Sequence, residues 1–90
     1  MSSKKLQQEI IIWRDAWSGH DSPVEPNDVE FGQYLVSTGF LVKEDAKEIV
    51  IATQMVATPD DSRVRHLQGI VKKNIVARHS KPVRVPNPRS

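Results

Sequence analysis

The sequence predicts a mainly β fold: a small, five-stranded, partly open barrel with one 3₁₀ turn before the last strand. Three features predict it. Two apolar segments rich in β-branched and aromatic residues flank the polar stretch Lys43-Glu-Asp-Ala-Lys47, the pattern of a hairpin. Gly39 interrupts the first of these segments, as a glycine does where a strand bulges or bends. Val71-Lys-Lys-Asn74 leaves room for a single 3₁₀ turn before a final apolar run. At 90 residues the chain has room for one small domain, and a domain of that size has a thin stability margin.

Taken in order, residues 1–8 are polar and are expected to fray as a flexible N-terminus. Glu9-Ile-Ile-Ile-Trp-Arg-Asp-Ala16 reads as the first strand, since three consecutive isoleucines suit a pleated surface. A helix from Lys4 to Trp17 competes with it, because Leu6, Ile10, Trp13 and Trp17 fall at helical spacing. Residues 18–28 hold Pro23 and Pro26 among turn formers and read as a long loop, and Asn27-Asp-Val-Glu30 is suited to a short helical turn. Gly32 to Lys43 makes a second strand bent at Gly39, and Glu48 to Val56 returns as a third. Val64 to Ile70 is a fourth, with a second bend expected at Gly69, and Ile75 to His79 is a fifth. The domain then spans 9–79, and 80–90, with Pro82, Pro86 and Pro88 among polar residues, is expected to be a disordered basic tail. A winged helix, with the first segment helical and the hairpin as its wing, is the alternative architecture.

Short strands, a bent second strand and a turn before the last strand resemble the SH3-like and Sm-like barrels. The chain also resembles a group of small bacteriophage and prophage proteins of unassigned function. The shared elements are Trp13-Arg-Asp-Ala16, Ser37-Thr-Gly-Phe40, Ile49-Val-Ile-Ala52 and Lys72-Lys-Asn-Ile75, together covering roughly residues 9–79. Val71 stands where such proteins often place a proline. The Asp-x-x-aliphatic-Asn pattern of the Sm family is missing, which leaves the likeness there to barrel shape. The resemblance implies a phage- or prophage-derived protein in the bacterial host cytoplasm, for which a host or virion macromolecule is the expected partner.

Charge is strongly segregated. Residues 1–62 carry all 11 acids but only Lys4, Lys5, Arg14, Lys43 and Lys47, whereas 63–90 carry every other Lys and Arg and no acid. Such a split points to an anionic partner, or to intramolecular or head-to-tail pairing. The candidate anion or nucleic-acid site is Arg63, Arg65, Lys72, Lys73 and Arg78, on a face shared by strands four and five. The candidate rim aromatics are Trp17 and Tyr34, with Phe31 nearby in sequence; Trp13 and Phe40 are expected in the core.

Catalytic residues are not expected. His20-Asp21-Ser22 holds three triad residue types, but adjacent side chains diverge and do not form a triad. His66 and His79 stand at no metal-ligand spacing, no cysteine is present, and the four glycines are scattered rather than gathered in a phosphate loop. No metal or cofactor is expected. Ile10-Ile-Ile-Trp13 is far short of the roughly 20 apolar residues of a membrane span, and Met1-Ser-Ser-Lys-Lys5 lacks a signal-like apolar stretch. The expected function is therefore a cytoplasmic, non-enzymatic interaction module with a protein or nucleic-acid partner. Sequestration of an anionic nucleotide and self-association remain competing readings.

Overall fold

The computed structural model describes residues 3–15, 23, 25–28 and 32–89. The strands are β1 (Ser3–Arg14), β2 (Tyr34–Glu44), β3 (Glu48–Met55), β4 (Val64–Val71) and β5 (Ile75–Pro86), with 3₁₀ turns at Pro26–Asp28 and Lys72–Asn74. They form one antiparallel sheet in the order β4-β3-β2-β1-β5. The fold is mainly β, and β4 and β5 stand at opposite edges of a sheet that does not close. Among the described residues no helix is long and apolar enough to cross a membrane.

Isoleucine alternation builds the core. Ile11 of β1, Ile49 and Ile51 of β3 and Ile70 of β4 are fully buried, with Trp13, Leu41 and Ile75 packed against them. The period-2 geometry of a strand turns Ile10 and Ile12 to the opposite face, where both stay exposed. The helical reading of this segment therefore loses to the strand. The hairpin forms as expected: Asp45 Oδ1 accepts the N–H groups of Lys47 and Glu48, each at 2.8 Å. Lys72 N–H donates to Lys47 O at 2.8 Å, which ties the second 3₁₀ turn to that hairpin.

The irregularities fall elsewhere than expected. Gly39 does not have a positive φ. It lies opposite Glu9 in the ladder, and a Cβ there would stand 2.8 Å from the Ala52 carbonyl oxygen, so close backbone approach is what demands glycine. The β2 bulge comes three residues later, where the register shifts between Leu41 and Lys43 and passes over Val42. Gly69 makes no bend; it pairs in register with Val50, and a Cβ would meet only the flexible end of Glu48. In β4 the distorted residue is His66, with φ 59°.

The larger difference is at the chain ends. The expected flexible N-terminus and disordered tail are paired strands, running in register from Ser3↔Pro86 to Gln8↔Lys81. Neither segment carries a strong local strand signal, but Leu6 opposite Val83 and Lys4 opposite Val85 give the pair one half-buried face. Prolines are tolerated in β5 because it is an edge strand. Pairing the ends draws the molecule out to 62 × 22 × 20 Å.

Candidate interaction cleft

Glu9 occupies an inward position of β1 next to Ile11, where a charged side chain must find its partners inside the protein. It does. Its carboxylate is 0% exposed and accepts Arg78 Nη2 at 2.7 Å and Nε at 3.1 Å, Ser80 Oγ at 2.7 Å and Gln7 Nε2 at 2.7 Å. The Arg78 guanidinium also donates to Glu44 at 2.9 and 3.0 Å, and Lys72 Nζ lies 2.7 Å from Glu44 Oε2. Two carboxylates and two cations thus neutralise one another. Burial pulls the Glu9 carboxyl upward, but hydrogen bonds from Arg78, Ser80 and Gln7 outweigh it and hold the group below its usual range. Hydrogen bonds from Arg78 and then Lys72 hold Glu44 down at about 2. Arg78 is pushed up by the same bonds, which it donates to Glu9 and Glu44.

The five basic residues singled out in the sequence do not converge. β4 and β5 are opposite edges of the sheet, so the expected shared face of strands four and five does not form. Arg78 and Lys72 are engaged in the network around Glu9 and Glu44. Arg63 grips Asp61, with Nη2 to Oδ2 at 2.7 Å, and the Arg63 side chain and backbone hold that carboxyl down at about 2. Arg63 and Arg65 border a groove of about 620 Å³ with Phe40, Met55, Val56 and Val64. Lys73 lies past the far end of β4, on a second cleft.

That second cleft, of about 440 Å³, brings together candidates from both lists. It is lined by Arg14 at the end of β1 and Asp15 after it, Gly32 and Tyr34 before and at the start of β2, and Lys73, Asn74, Ile75 and Val76 from the 3₁₀ turn into β5. Arg14 and Tyr34 are the last ladder pair of β1 and β2, and the guanidinium carbon lies 5.8 Å from the ring centroid. This is within cation–π range. The Asp15 N–H donates to Gln33 O at 2.9 Å and closes the strand pair behind them. Opposite, the β1–β5 ladder slips between Ile12↔Ala77 and Trp13↔Ile75. The slip leaves Val76 without a ladder partner and pushes it outward as a bulged residue. Tyr34 is 64% exposed and Val76 60%. Ile12 and Val36 pair on the face that also carries Arg14 and Tyr34, and both are exposed, so the cleft opens onto an apolar strip.

Trp17, Phe31 and the His20-Asp21-Ser22 segment lie outside the described residues. Trp13 faces inward, donating from Nε1 to Ser37 Oγ at 2.9 Å, and joins the core as expected. Phe40 is half-buried and borders the 620 Å³ groove instead of joining the isoleucine cluster. Val76 and Arg14 were missed, because only the ladder slip and the strand register bring them to the cleft. Among the described residues no group of three or more His, Asp or Glu side chains is placed to hold a metal ion. The cleft offers an aromatic face, branched aliphatics and the polar side chains of Arg14, Asp15, Lys73 and Asn74. Compared with protein-family models, with curated proteins and with solved structures, the chain matches none.

Proposed function

We propose that the chain is a non-enzymatic interaction module that binds a segment of a partner protein in the cleft between Tyr34 and Val76. The observation that carries this reading is the exposure of those two side chains across one cleft, with the exposed pair Ile12 and Val36 next to Arg14 and Tyr34 in the ladder. A small domain normally buries its few large apolar side chains, so leaving them together at the surface marks a contact site. In SH3-like sheets the rim beside the last 3₁₀ turn is a place where aromatics take a peptide, and Tyr34 and Lys73 hold that position here; this support is an analogy of fold. The resemblance to small phage and prophage proteins suggests a host or virion protein as the partner, met in the bacterial cytoplasm.

Panning a surface-displayed random peptide library against the chain tests the reading. Binders are expected whose affinity falls about 30-fold for Tyr34→Ala, the loss of one aromatic anchor of about 2 kcal/mol. Val76→Asp is expected to weaken the same binders, and neither change should lower Tm, because both side chains are exposed. Binders indifferent to both substitutions refute the cleft. Hydrolase, nuclease or transferase turnover that disappears on a single substitution refutes the non-enzymatic reading.

A further inference from the structure

Beyond Gln8 the β1 strand leaves β2, and residues 3–7 pair with β5 alone, from Ser3↔Pro86 to Gln7↔Pro82. This two-stranded ribbon has two unlike faces. Lys4, Leu6, Val83 and Val85 share one face, and all are half-buried. On that side Lys4 Nζ donates to the carbonyl oxygens of Val56 at 2.7 Å, of Thr58 at 3.5 Å and of Asp61, which fastens the ribbon to the β3–β4 connection. The other face carries Lys5, Gln7, Pro82 and Arg84, all exposed.

Lys5 and Arg84 are direct cross-strand partners. Like charges placed so destabilise a strand pair. No Asp or Glu stands in 3–8 or 81–90 to offset them, and among the described residues no carboxylate pairs with Lys5, Lys81, Arg84 or Arg89. Arg84 reaches only Ser3 Oγ, at 3.4 Å. Arg63 on Asp61, Arg78 on Glu9 and Glu44, and Lys72 on Glu44 are by contrast paired with carboxylates. Lys5 and Arg84 also border one depression of about 330 Å³ with Pro82. Five residue pairs span about 17 Å, and a two-stranded ribbon fits the major groove of duplex DNA, about 12 Å wide.

We propose that the exposed face of this ribbon, with Lys5 and Arg84 side by side, binds the phosphate backbone of duplex nucleic acid without reading its sequence. Arg89, after β5, and Lys81, which lies on the Val83 face of the ribbon, add to the positive field around the pair. Guanidinium and ammonium groups with no carboxylate to satisfy suit phosphate oxygens. The surface is independent of the cleft between Tyr34 and Val76. It also differs from the expected strand-four and strand-five face, since it is built from the two chain ends.

The test uses the full chain and a 20-base-pair duplex of random sequence, with fluorescence anisotropy followed from 50 to 200 mM salt. Two to three phosphate contacts give a log–log salt slope of about −2 to −3. Lys5→Glu is the discriminating variant. It puts a carboxylate opposite Arg84, so Tm is expected to hold or rise while duplex affinity falls at least about 10-fold and the slope shrinks by about 2. A fall in Tm overturns the reading of the pair as a repulsion, and unchanged duplex binding overturns the site. The neutral variant K5Q/R84Q repeats the test without a new charge; a slope equal to that of the wild type overturns the proposal. So does a wild-type chain that retains a poly-glutamate peptide but not the duplex, which assigns the ribbon to an acidic protein. Tyr34→Ala is expected to bind the duplex as the wild type does, which separates this proposal from the cleft.

Discussion

Replacing Arg78 with alanine removes the principal partner of a carboxylate that has no access to water. Glu9 then keeps only Ser80 Oγ and Gln7 Nε2, and Glu44 keeps only Lys72. Breaking a buried pair from one side costs about 3–5 kcal/mol. A domain of 90 residues has a total of roughly 5–13 kcal/mol, so the variant sits near the edge of folding, with Tm lower by about 15 °C or more. The pH dependence should also change sign. In the wild type Glu9 and Glu44 are held below their usual range, so their contribution is present above about pH 4.5 and is lost as pH falls toward 2. Without Arg78, burial dominates at Glu9 and lifts its carboxyl above the unfolded value. That group then favours the folded state below the unfolded pKa and disfavours it as pH rises. Urea denaturation between pH 4 and 8 should therefore show a penalty for Arg78→Ala that is largest near pH 7 and narrows on acidification. The double variant E9Q/R78A should recover part of the loss, because it removes the stranded charge. A penalty that is small and flat with pH, or a double variant no more stable than Arg78→Ala, refutes the buried, ionised Glu9.

Gly39→Val is expected to cost about 1–3 kcal/mol, because its Cβ would stand 2.8 Å from backbone that cannot swing aside. Gly69→Ala should be close to neutral in the same urea titration, since the Glu48 side chain can move away. His66→Gly should raise stability by up to about 1 kcal/mol, as glycine relieves a left-handed backbone that costs other residues about 1–2 kcal/mol. A lower Tm for that variant shows that the His66 side chain makes contacts worth more than the strain.

Elements with a local signal were legible in the sequence. The apolar strand from Glu48, the polar connection at Asp45 and the turn after Val71 all depend on neighbours within a few residues, and all stand where expected. What could not be read was pairing at a distance. Polar Ser3–Gln8 and Pro-rich Lys81–Pro86 look unstructured apart and become strands only against each other. Glu9 looks like the polar start of a strand until Arg78, 69 residues away, is known to meet it. That pairing withdrew Arg78 from the expected anion site, as Asp61 did Arg63 and Glu44 did Lys72. Ladder slips were equally hidden: Val76 is exposed at the cleft because of one, and nothing in Ile75-Val76-Ala77 announces it.

The contact between Glu9 and Arg78 also bears on the order in which the chain is assembled. A ribosome adds about 5–20 residues per second, so the arginine follows the glutamate by about 3–14 s. For the second half of that interval β1 and β2 are both synthesised, but the inward face they offer carries a carboxylate with no cation to meet it. A sheet core closed at that stage would trap the charge. The core is therefore complete only with β5 (Ile75–Pro86), which brings Arg78, and a ribosome-stalled or clipped chain lacking β5 is expected to be recognised by proteases as unfolded.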